Sequence, residues 1–332
     1  MPESSLVILA LVILMSYVYA FVGGFTDAAN AIATSVGSRV LSPRAAVLMA
    51  GVFNLLGGLT GTAVALTIAE GIIDPSLLSL LTVVAGLAGA MTWSLLTYRL
   101  GIPVSETHGL IGGLVGAALA TAGMDGVQWS GLSEVVIAIG ASPAIGFAGG
   151  LAIIALVYWT FHRVRRGRVL PWFKHLQRAS AAYMAFSHGR NDAQKPMGVL
   201  ALGLALYYGR EPTVPIWIVL SAATVAAFGT AYGGWRIIRT LGMRVTDLDP
   251  VQGFAAEVSG ATVIQVASQI GIPISTTHAI TSSILGVGAS RRLSAVRWGV
   301  TLQIFTSWLL TVPVTVGLGA LYLFILRSVL PG

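Results

Sequence analysis

Long apolar runs separated by short polar connections fill this sequence from one end to the other. Most runs reach about 20 residues, which is enough for a helix to cross the hydrocarbon core of a bilayer. The runs cover residues 5–25, 43–69, 77–98, 103–122, 131–161, 179–208, 213–235, 250–271, 273–289 and 294–326. This pattern predicts an all-α polytopic membrane protein.

Two of these runs, 131–161 and 294–326, are too long for one simple crossing, and they contain Pro143 and Pro313. Proline removes a backbone donor and clashes with the preceding helical turn. Each run is therefore either one tilted helix or two pieces broken at the proline. On this basis we expect ten to twelve membrane segments.

Composition supports a membrane protein and excludes several other classes. Of the 332 residues, 55% are hydrophobic and only 9% are charged, whereas a soluble domain carries about 25% charged residues. The chain has no cysteine, which excludes disulfides and thiolate metal sites. Only Glu3 carries charge before the first apolar run, and a signal peptide needs a basic start. We therefore expect a retained first span.

The net charge of +7 follows the topology of the chain. If each run crosses once, 15 of the 19 basic residues fall on one side. The positive-inside rule makes that side cytoplasmic. The sequence thus predicts a multi-pass protein of the cell membrane with external termini and a cytoplasmic basic linker at 161–178. A nucleic-acid partner is not expected.

Two motifs occur twice. The octets GIPVSETH (101–108) and GIPISTTH (271–278) lie 170 residues apart, and the segments FTDAANA (25–31) and RNDAQKP (190–196) lie 165 apart. We expect two repeats, 1–160 and 179–332, joined by the linker 161–178. An odd number of crossings per repeat would invert their orientation, which is common in secondary transporters with broken or re-entrant helices at the site. A fused dimer without a transport role is the alternative.

Each octet carries the chemistry of an anion site. Pro103 and Pro273 suit the first turn of a helix, and the free N–H groups there attract anions. Five hydroxyls would add donors to a tetrahedral oxyanion: Ser105, Thr107, Ser275, Thr276 and Thr277. The alternative is that these hydroxyls only cap their helices.

The second duplicated motif offers hard oxygen ligands. Carboxylate and amide oxygens of Asp27, Asn30, Asn191 and Asp192 suit a cation such as Na⁺. The alternative is an ion pair between Asp192 and Lys195 at i,i+3, which leaves Asp27 without an explanation.

Other ionisable residues inside the spans are candidates because such groups are usually partnered and functional. His108 and His278 are candidates for anion donors, for proton relays or for structural hydrogen bonds. Glu257 is a candidate for a cation or proton site, or simply for a bond to a facing hydroxyl. Glu106 stands where the second octet has Thr276, and a carboxylate beside an anion must be protonated, turned away or bound to a cation.

At these residues the chain resembles the inorganic phosphate transporter (PiT) family over essentially its whole length. The resemblance rests on GGFTDAANAIATSVGSRVLSP (23–43), SHGRNDAQKPMGV (187–199) and the two octets. It implies a secondary transporter that moves phosphate with Na⁺ or H⁺, built from inverted repeats and assembled as a homodimer. Thr26 replaces the first Asn of the family's first motif.

Carried over to this chain, the resemblance implies a phosphate site and a Na⁺ site. Phosphate would contact the five octet hydroxyls and Gln194, and Na⁺ would contact Asp27, Asn30, Asn191 and Asp192. The leading hypothesis is phosphate import by cation symport, with Na⁺ favoured over H⁺. Phosphate, Na⁺ and the lipid bilayer are then the partners, no further cofactor is needed, and no enzymatic activity is expected.

Three other functions compete with this hypothesis. A sulfate transporter would use the same framework, since sulfate and phosphate share a shape. An anion channel would need no cation site and no duplicated acids. An intramembrane hydrolase is disfavoured because neither HExxH nor GxSxG occurs.

Overall fold

The computed structural model of this protein describes residues 3–329, and the regular structure in that range is helical. The first half contains α1 (Glu3–Gly37), α2 (Pro43–Gly58), α3 (Ala63–Glu70), α4 (Leu80–Leu100), α5 (Glu106–Ala122) and α6 (Trp129–Phe161). The second half contains α7 (Arg166–Asp192), α8 (Gln194–Tyr208), α9 (Ile216–Tyr232), α10 (Trp235–Arg239), α11 (Pro250–Gln269), α12 (Thr276–Ala289) and α13 (Trp298–Val329). The all-helical prediction is confirmed.

Within the described range, five helices are long and apolar enough to cross a membrane, namely α1, α4, α5, α6 and α13. Two further candidates are broken: α2 and α3 meet at an angle of 70°, and α9 meets the segment 235–244 at 57°. Counting each bent pair as one span gives up to seven. This count considers only long helices, and membrane segments can also be short, such as α12 with 14 residues. The expectation of ten to twelve membrane segments therefore stays a prediction.

The two longest apolar runs are single helices that continue through their prolines. Helix α6 has 33 residues and contains Pro143, and α13 has 32 residues and contains Pro313. At 1.5 Å per residue each is about 50 Å long, which exceeds a hydrocarbon core of about 30 Å. Each must therefore tilt in the bilayer or extend beyond it.

The packing of the helices is exchanged between the two halves of the chain. Helix α5, which begins at the first octet, packs against α13, and α12, which begins at the second octet, packs against α6. In the same way α1 packs on α9 and α7 packs on α2, while α2 and α9 contact each other. Most of the predicted linker, from residue 166 onward, forms the start of α7. The two halves are thus interlocked, and their relation as repeats stays a prediction.

Basic residues from distant connections meet at one end of the helices. Arg166 and Arg291 both bond to Asp249, at 2.9 and 2.7 Å, and Arg297 bonds to Asp247 at 3.1 Å. These contacts join the connections after α6, α10 and α12. At the opposite end, a backbone bridge between residues 73 and 127 joins the connections after α3 and α5. The structure thus gathers these basic connections at one end, as the sequence predicts.

Glycine allows the exchanged helices to touch backbone to backbone. A Cβ at Gly116 of α5 would lie 2.0 Å from the carbonyl oxygen of Val316 in α13, and a Cβ at Gly319 would lie 2.2 Å from that of Gly113. Small residues are the usual means of close approach between membrane helices. The α5–α13 contact therefore tolerates no larger side chain at Gly116.

We expect Gly116→Ala to lower the thermal unfolding midpoint of the purified protein in detergent. The new methyl group must displace a backbone, and overpacking of this kind costs about 1–3 kcal/mol. Gly317→Ala is the matched control, because a Cβ at Gly317 on α13 meets nothing within 4 Å. Equal midpoints for the two variants would contradict the close α5–α13 packing.

Candidate functional site

Both octets open helices whose first turns are capped by their own serines. The Ser105 hydroxyl oxygen accepts from the backbone N–H of His108 at 3.2 Å, and Ser275 accepts from that of His278 at 3.1 Å. The two octet prolines lie two residues before these caps, and not in the first helical turn, since the serine cap fixes where each helix begins. Both serines are buried. Capping, the alternative left open by the sequence, is therefore observed for these two hydroxyls.

The two octets are joined to each other by a reciprocal pair of hydrogen bonds. The Thr107 hydroxyl donates to the carbonyl oxygen of Ile274 at 3.0 Å, and the Thr277 hydroxyl donates to that of Val104 at 2.9 Å. Each bond runs from the first helical turn of one octet to the residue before the cap of the other. The duplicated segments thus meet in the protein interior, as the motif repetition suggests.

Helix α1 brings an aspartate and an asparagine against the second octet. Asn30 donates through Nδ2 to the hydroxyls of Thr276 and Thr277, at 3.2 and 2.9 Å. Asp27 Oδ1 lies 3.3 Å from the Thr277 hydroxyl oxygen, whose single hydrogen makes the shorter bond to the Val104 carbonyl. Asp27 and Asn30 are only 4% and 1% exposed, and within the described residues Asp27 Oδ2 and Asn30 Oδ1 have no donor. Buried oxygens are nearly always paired, so these two atoms suit a cation.

The end of α7 places a second aspartate beside the same octet. Asp192 lies 2.9 Å from the Lys195 ammonium group and accepts from Asn191 at 3.0 Å. It also accepts weakly from Thr276 at 3.4 Å, while Asn191 donates to the Ile274 carbonyl at 3.1 Å. The Asp192–Lys195 pair anticipated at i,i+3 is present. Unlike Asp27, Asp192 has its charge balanced by a lysine at the start of the next helix, α8.

His188 joins this cluster, and the sequence reasoning gave it no role. Its Nε2 lies 3.0 Å from Asp192 Oδ2, and its Nδ1 lies 2.7 Å from the amide oxygen of Asn54 in α2. Since an amide oxygen only accepts, Nδ1 carries the hydrogen, and Asn54 orients the ring. Ligand atoms of Asp27, His188 and Asp192 lie within 4.8 Å of one another. The i,i+4 spacing of His188 and Asp192 signals this pairing, but nothing local signals Asn54.

Glu106 turns toward α1 and α4. Its Oε1 accepts from the Thr26 hydroxyl at 2.8 Å and from the Ser94 hydroxyl. The Tyr19 hydroxyl donates to the backbone carbonyl of Glu106 at 3.1 Å. The Thr26 hydroxyl lies equally close to the Val22 carbonyl oxygen, at 2.8 Å, so its single hydrogen is shared between two acceptors. Thr26, which departs from the family's motif, is thus one of the hydroxyls that face Glu106.

Glu257 of α11 lies in a similar cage of donors. Its carboxylate accepts from the Thr34 hydroxyl at 2.6 Å, from the Ser180 hydroxyl, and from the Gln177 side-chain amide at 3.3 Å. Glu257 is fully buried. The sequence left two alternatives for Glu257, a cation or proton site and a bond to a facing hydroxyl. The structure shows hydroxyl contacts.

The side-chain hydrogen bonds of Gln194, within the described residues, go to α3 and α7 and not to the octet hydroxyls. Its side-chain oxygen accepts from the backbone N–H groups of Val64 and Ala65, at 2.8 and 3.3 Å, which open α3. Its nitrogen donates to the Arg190 carbonyl at 2.6 Å. Gln194 therefore caps the second piece of the bent α2–α3 pair. Its role as a phosphate ligand stays a prediction.

The two octet histidines contact each other. The rings of His108 and His278 lie edge to face, with centroids 4.6 Å apart, and His278 stacks on Trp308 at 3.8 Å. The Trp308 indole donates to the Pro103 carbonyl at 3.1 Å, so α13 supports both octets. Within the described residues none of the four ring nitrogens has a hydrogen-bond partner, so ring packing holds this pair and the expected structural hydrogen bonds are not seen.

The cluster is closed in this conformation. All the octet hydroxyls are buried, and a cavity of about 10 Å³ beside them is lined by Tyr19, Glu106, Asp192 and Lys195 among others. A space of this size holds about one water molecule. It is too small for a phosphate ion.

Comparison with known proteins covers nearly the whole chain. The chain is 46% identical to a protein of Rhizobium meliloti (strain 1021) over 307 residues, 92% of each chain, and 38% identical to one of Bacillus subtilis (strain 168) over 328 residues, 98% of each. Both relatives are named probable low-affinity inorganic phosphate transporters. A solved structure described as the sodium-dependent phosphate transporter matches with a TM-score of 0.89 at 26% identity, over 98% of this chain and 100% of that one.

A family-wide sequence profile, described as the phosphate transporter family, matches residues 23–319. This range includes both octets and both Asp-containing motifs. The resemblance seen in the motifs is thereby confirmed over most of the sequence. The chain belongs to the phosphate transporter family.

Proposed function

We propose that this protein imports inorganic phosphate by symport with Na⁺. The observation that carries the proposal is the pair of donorless, buried oxygens, Asp27 Oδ2 and Asn30 Oδ1, directly beside the duplicated octets. A cation bound there would stand next to an anion held by the octets. The name of the sodium-dependent structural neighbour supports Na⁺ as that cation.

Electrostatics supports coupling between the two ions. Phosphate carries more than one negative charge near neutral pH, and burying it without a counter-charge is unfavourable. The first turns of α5 and α12 would supply N–H groups and partial positive charge. A cation between Asp27 and Asp192 would supply the rest. By reciprocity, each ion then raises the affinity for the other.

We further propose that phosphate and the cation share the second octet. Thr276 and Thr277 already contact Asn30, while Thr277 contacts Asp27 and Thr276 contacts Asp192. The same hydroxyls are therefore in reach of both candidate sites. His188, held by Asn54, would complete the cation site through Nε2.

An inverted arrangement of the repeats would let the site open to either face. Support comes from the segments that lead into the octets. The carbonyl of Gly101 accepts from Thr240 at 2.7 Å at the basic end, whereas that of Gly271 accepts from Thr67 of α3 at 2.7 Å. The octets then approach the centre from opposite directions. With the basic end cytoplasmic, both termini would be external; the homodimer stays a prediction.

The central test is uptake of labelled phosphate by purified protein in liposomes. We expect a Na⁺ gradient to drive uptake without a pH gradient, and a pH gradient alone to drive little. Uptake that follows only the pH gradient would replace Na⁺ with H⁺. Uptake indifferent to both gradients would overturn symport in favour of an anion channel, and sulfate that out-competes phosphate would contradict the substrate.

Asp27→Asn tests the cation site. The change keeps the shape of the side chain but removes its charge, so the Na⁺ concentration for half-maximal uptake should rise at least about tenfold, equivalent to about 1.4 kcal/mol. The matched control is Asp247→Asn, since the Asp247 side chain is 85% exposed in a connecting loop. An unchanged Na⁺ dependence in well-folded Asp27→Asn would remove this side chain from the site.

Thr107→Val and Thr107→Ser separate the hydroxyl from the methyl group. Valine removes the Thr107 donor from the buried Ile274 carbonyl, which then keeps only the Asn191 amide, and the loss of one hydrogen bond costs about 0.5–1.5 kcal/mol. We expect the phosphate concentration for half-maximal uptake to rise about tenfold in the Val variant. Serine should largely restore it. Thr160→Val, at an exposed position of α6, should leave uptake unchanged; a Val variant indistinguishable from wild type would exclude Thr107 from phosphate binding.

A further inference from the structure

A basic cavity of about 420 Å³ lies where α4 ends and α10 begins, away from the octet cluster. Arg99 comes from the last turn of α4, Arg236 and Arg239 come from α10, and Arg244 comes from the π-helical turn that follows. Segments far apart in sequence thus bring four arginines to the wall of one cavity.

The four arginines lack the carboxylate partners that other basic residues at this end have. Arg166 and Arg291 share Asp249, and Arg297 pairs with Asp247. Within residues 3–329, no carboxylate lies within 4.0 Å of the nitrogen atoms of the four cavity arginines. Four positive charges therefore converge without internal compensation, which favours an external anion.

Hydrogen bonds fix the walls of this cavity. The Arg236 side chain donates to the carbonyl of Arg99, and the Thr240 hydroxyl donates to that of Gly101 at 2.7 Å. These bonds tie the end of α4 to α10, so the concavity is a built part of the fold. Arg239 and Arg244 make no such bond in the described structure and stay free to meet a ligand.

The rim of the cavity has the character of a membrane interface. Trp235 lines it and is 42% exposed, and Leu100 lines it and is 64% exposed. Tryptophan is enriched at the headgroup level of bilayers, and basic pockets between membrane helices on the cytoplasmic side bind anionic headgroups.

We propose that this cavity binds the phosphate group of an anionic ligand, either an anionic phospholipid headgroup or free inorganic phosphate. Guanidinium groups match phosphate oxygens through paired hydrogen bonds. The site does not rest on the proposed transport reaction, and it is separate from the octet site.

Occupancy of the cavity would act on the first octet. Gly101, the first residue of that octet, lines the cavity and adopts a φ of 70° at the end of α4. An anion that draws Arg99 and Arg239 together would stabilise the contact between α4 and α10. It would thereby hold the segment that leads into α5 in the closed arrangement.

The test compares Arg239→Gln/Arg244→Gln with a control that carries the same loss of charge. The control is Arg168→Gln/Arg292→Gln, which removes two exposed charges that do not line the cavity. Binding of dioctanoyl phosphatidylglycerol to each purified protein is measured by native mass spectrometry in neutral detergent. Binding of inorganic phosphate is measured calorimetrically in a second arm.

We expect the cavity variant to bind at least one of the two probes about tenfold more weakly than wild type, with the control unchanged. Loss confined to the lipid arm identifies a headgroup, and loss of a phosphate-binding event identifies free phosphate. Equal behaviour of the cavity variant and the control in both arms overturns the proposal. If the double variant fails to fold, Arg244→Gln alone is measured against Arg292→Gln by the same criteria.

Discussion

The reciprocal hydrogen bonds between the octets organise the interior of this protein. Thr107 and Thr277 each reach across to a backbone carbonyl of the other octet. Without these bonds the buried Val104 carbonyl would lose its Thr277 donor and the Ile274 carbonyl would keep only the Asn191 amide, and leaving a buried polar group unpaired is unfavourable. These bonds bring the two helix starts together, and α1 and α7 then deliver Asp27 and Asp192 to the same place. The candidate site therefore needs both octets, because each one holds the other in place.

Much of the fold follows from the sequence because the bilayer limits the choices. Long apolar runs had to be helices, since only helices and closed barrels satisfy the backbone in lipid. The positions of the arginines predicted that the basic connections gather at one end of the helices. The bends in the helices could not be predicted from the sequence. The run 43–69 contains a bend of 70° between α2 and α3, and Gln194, from the other half of the chain, caps α3. No local sequence pattern predicts a helix cap whose side chain lies 130 residues away in the chain.

The candidate site, too, could be predicted only in part from the sequence. Duplication identified the octets and aspartates, because repeated polar residues in an apolar chain are conspicuous. Their partners depend on which helices touch, which the sequence does not state. Asn54 orients His188 from a distant helix, and Thr26 and Ser94 hold Glu106 away from the second octet. The difference between Glu106 and Thr276 is visible in the sequence. The direction in which the Glu106 side chain points depends on tertiary packing, which the sequence does not show.

The exchange of helices between the halves has a consequence for how the protein is made. Helix α5 carries its glycine face early in the chain, yet the partner of that face is α13, which ends at Val329. During synthesis, roughly 200 residues must emerge before this contact can close. Until then, the backbone groups around Gly113 and Gly116 face lipid or neighbouring helices. Biogenesis must therefore tolerate an unfinished interior until α13 inserts and packs against α5.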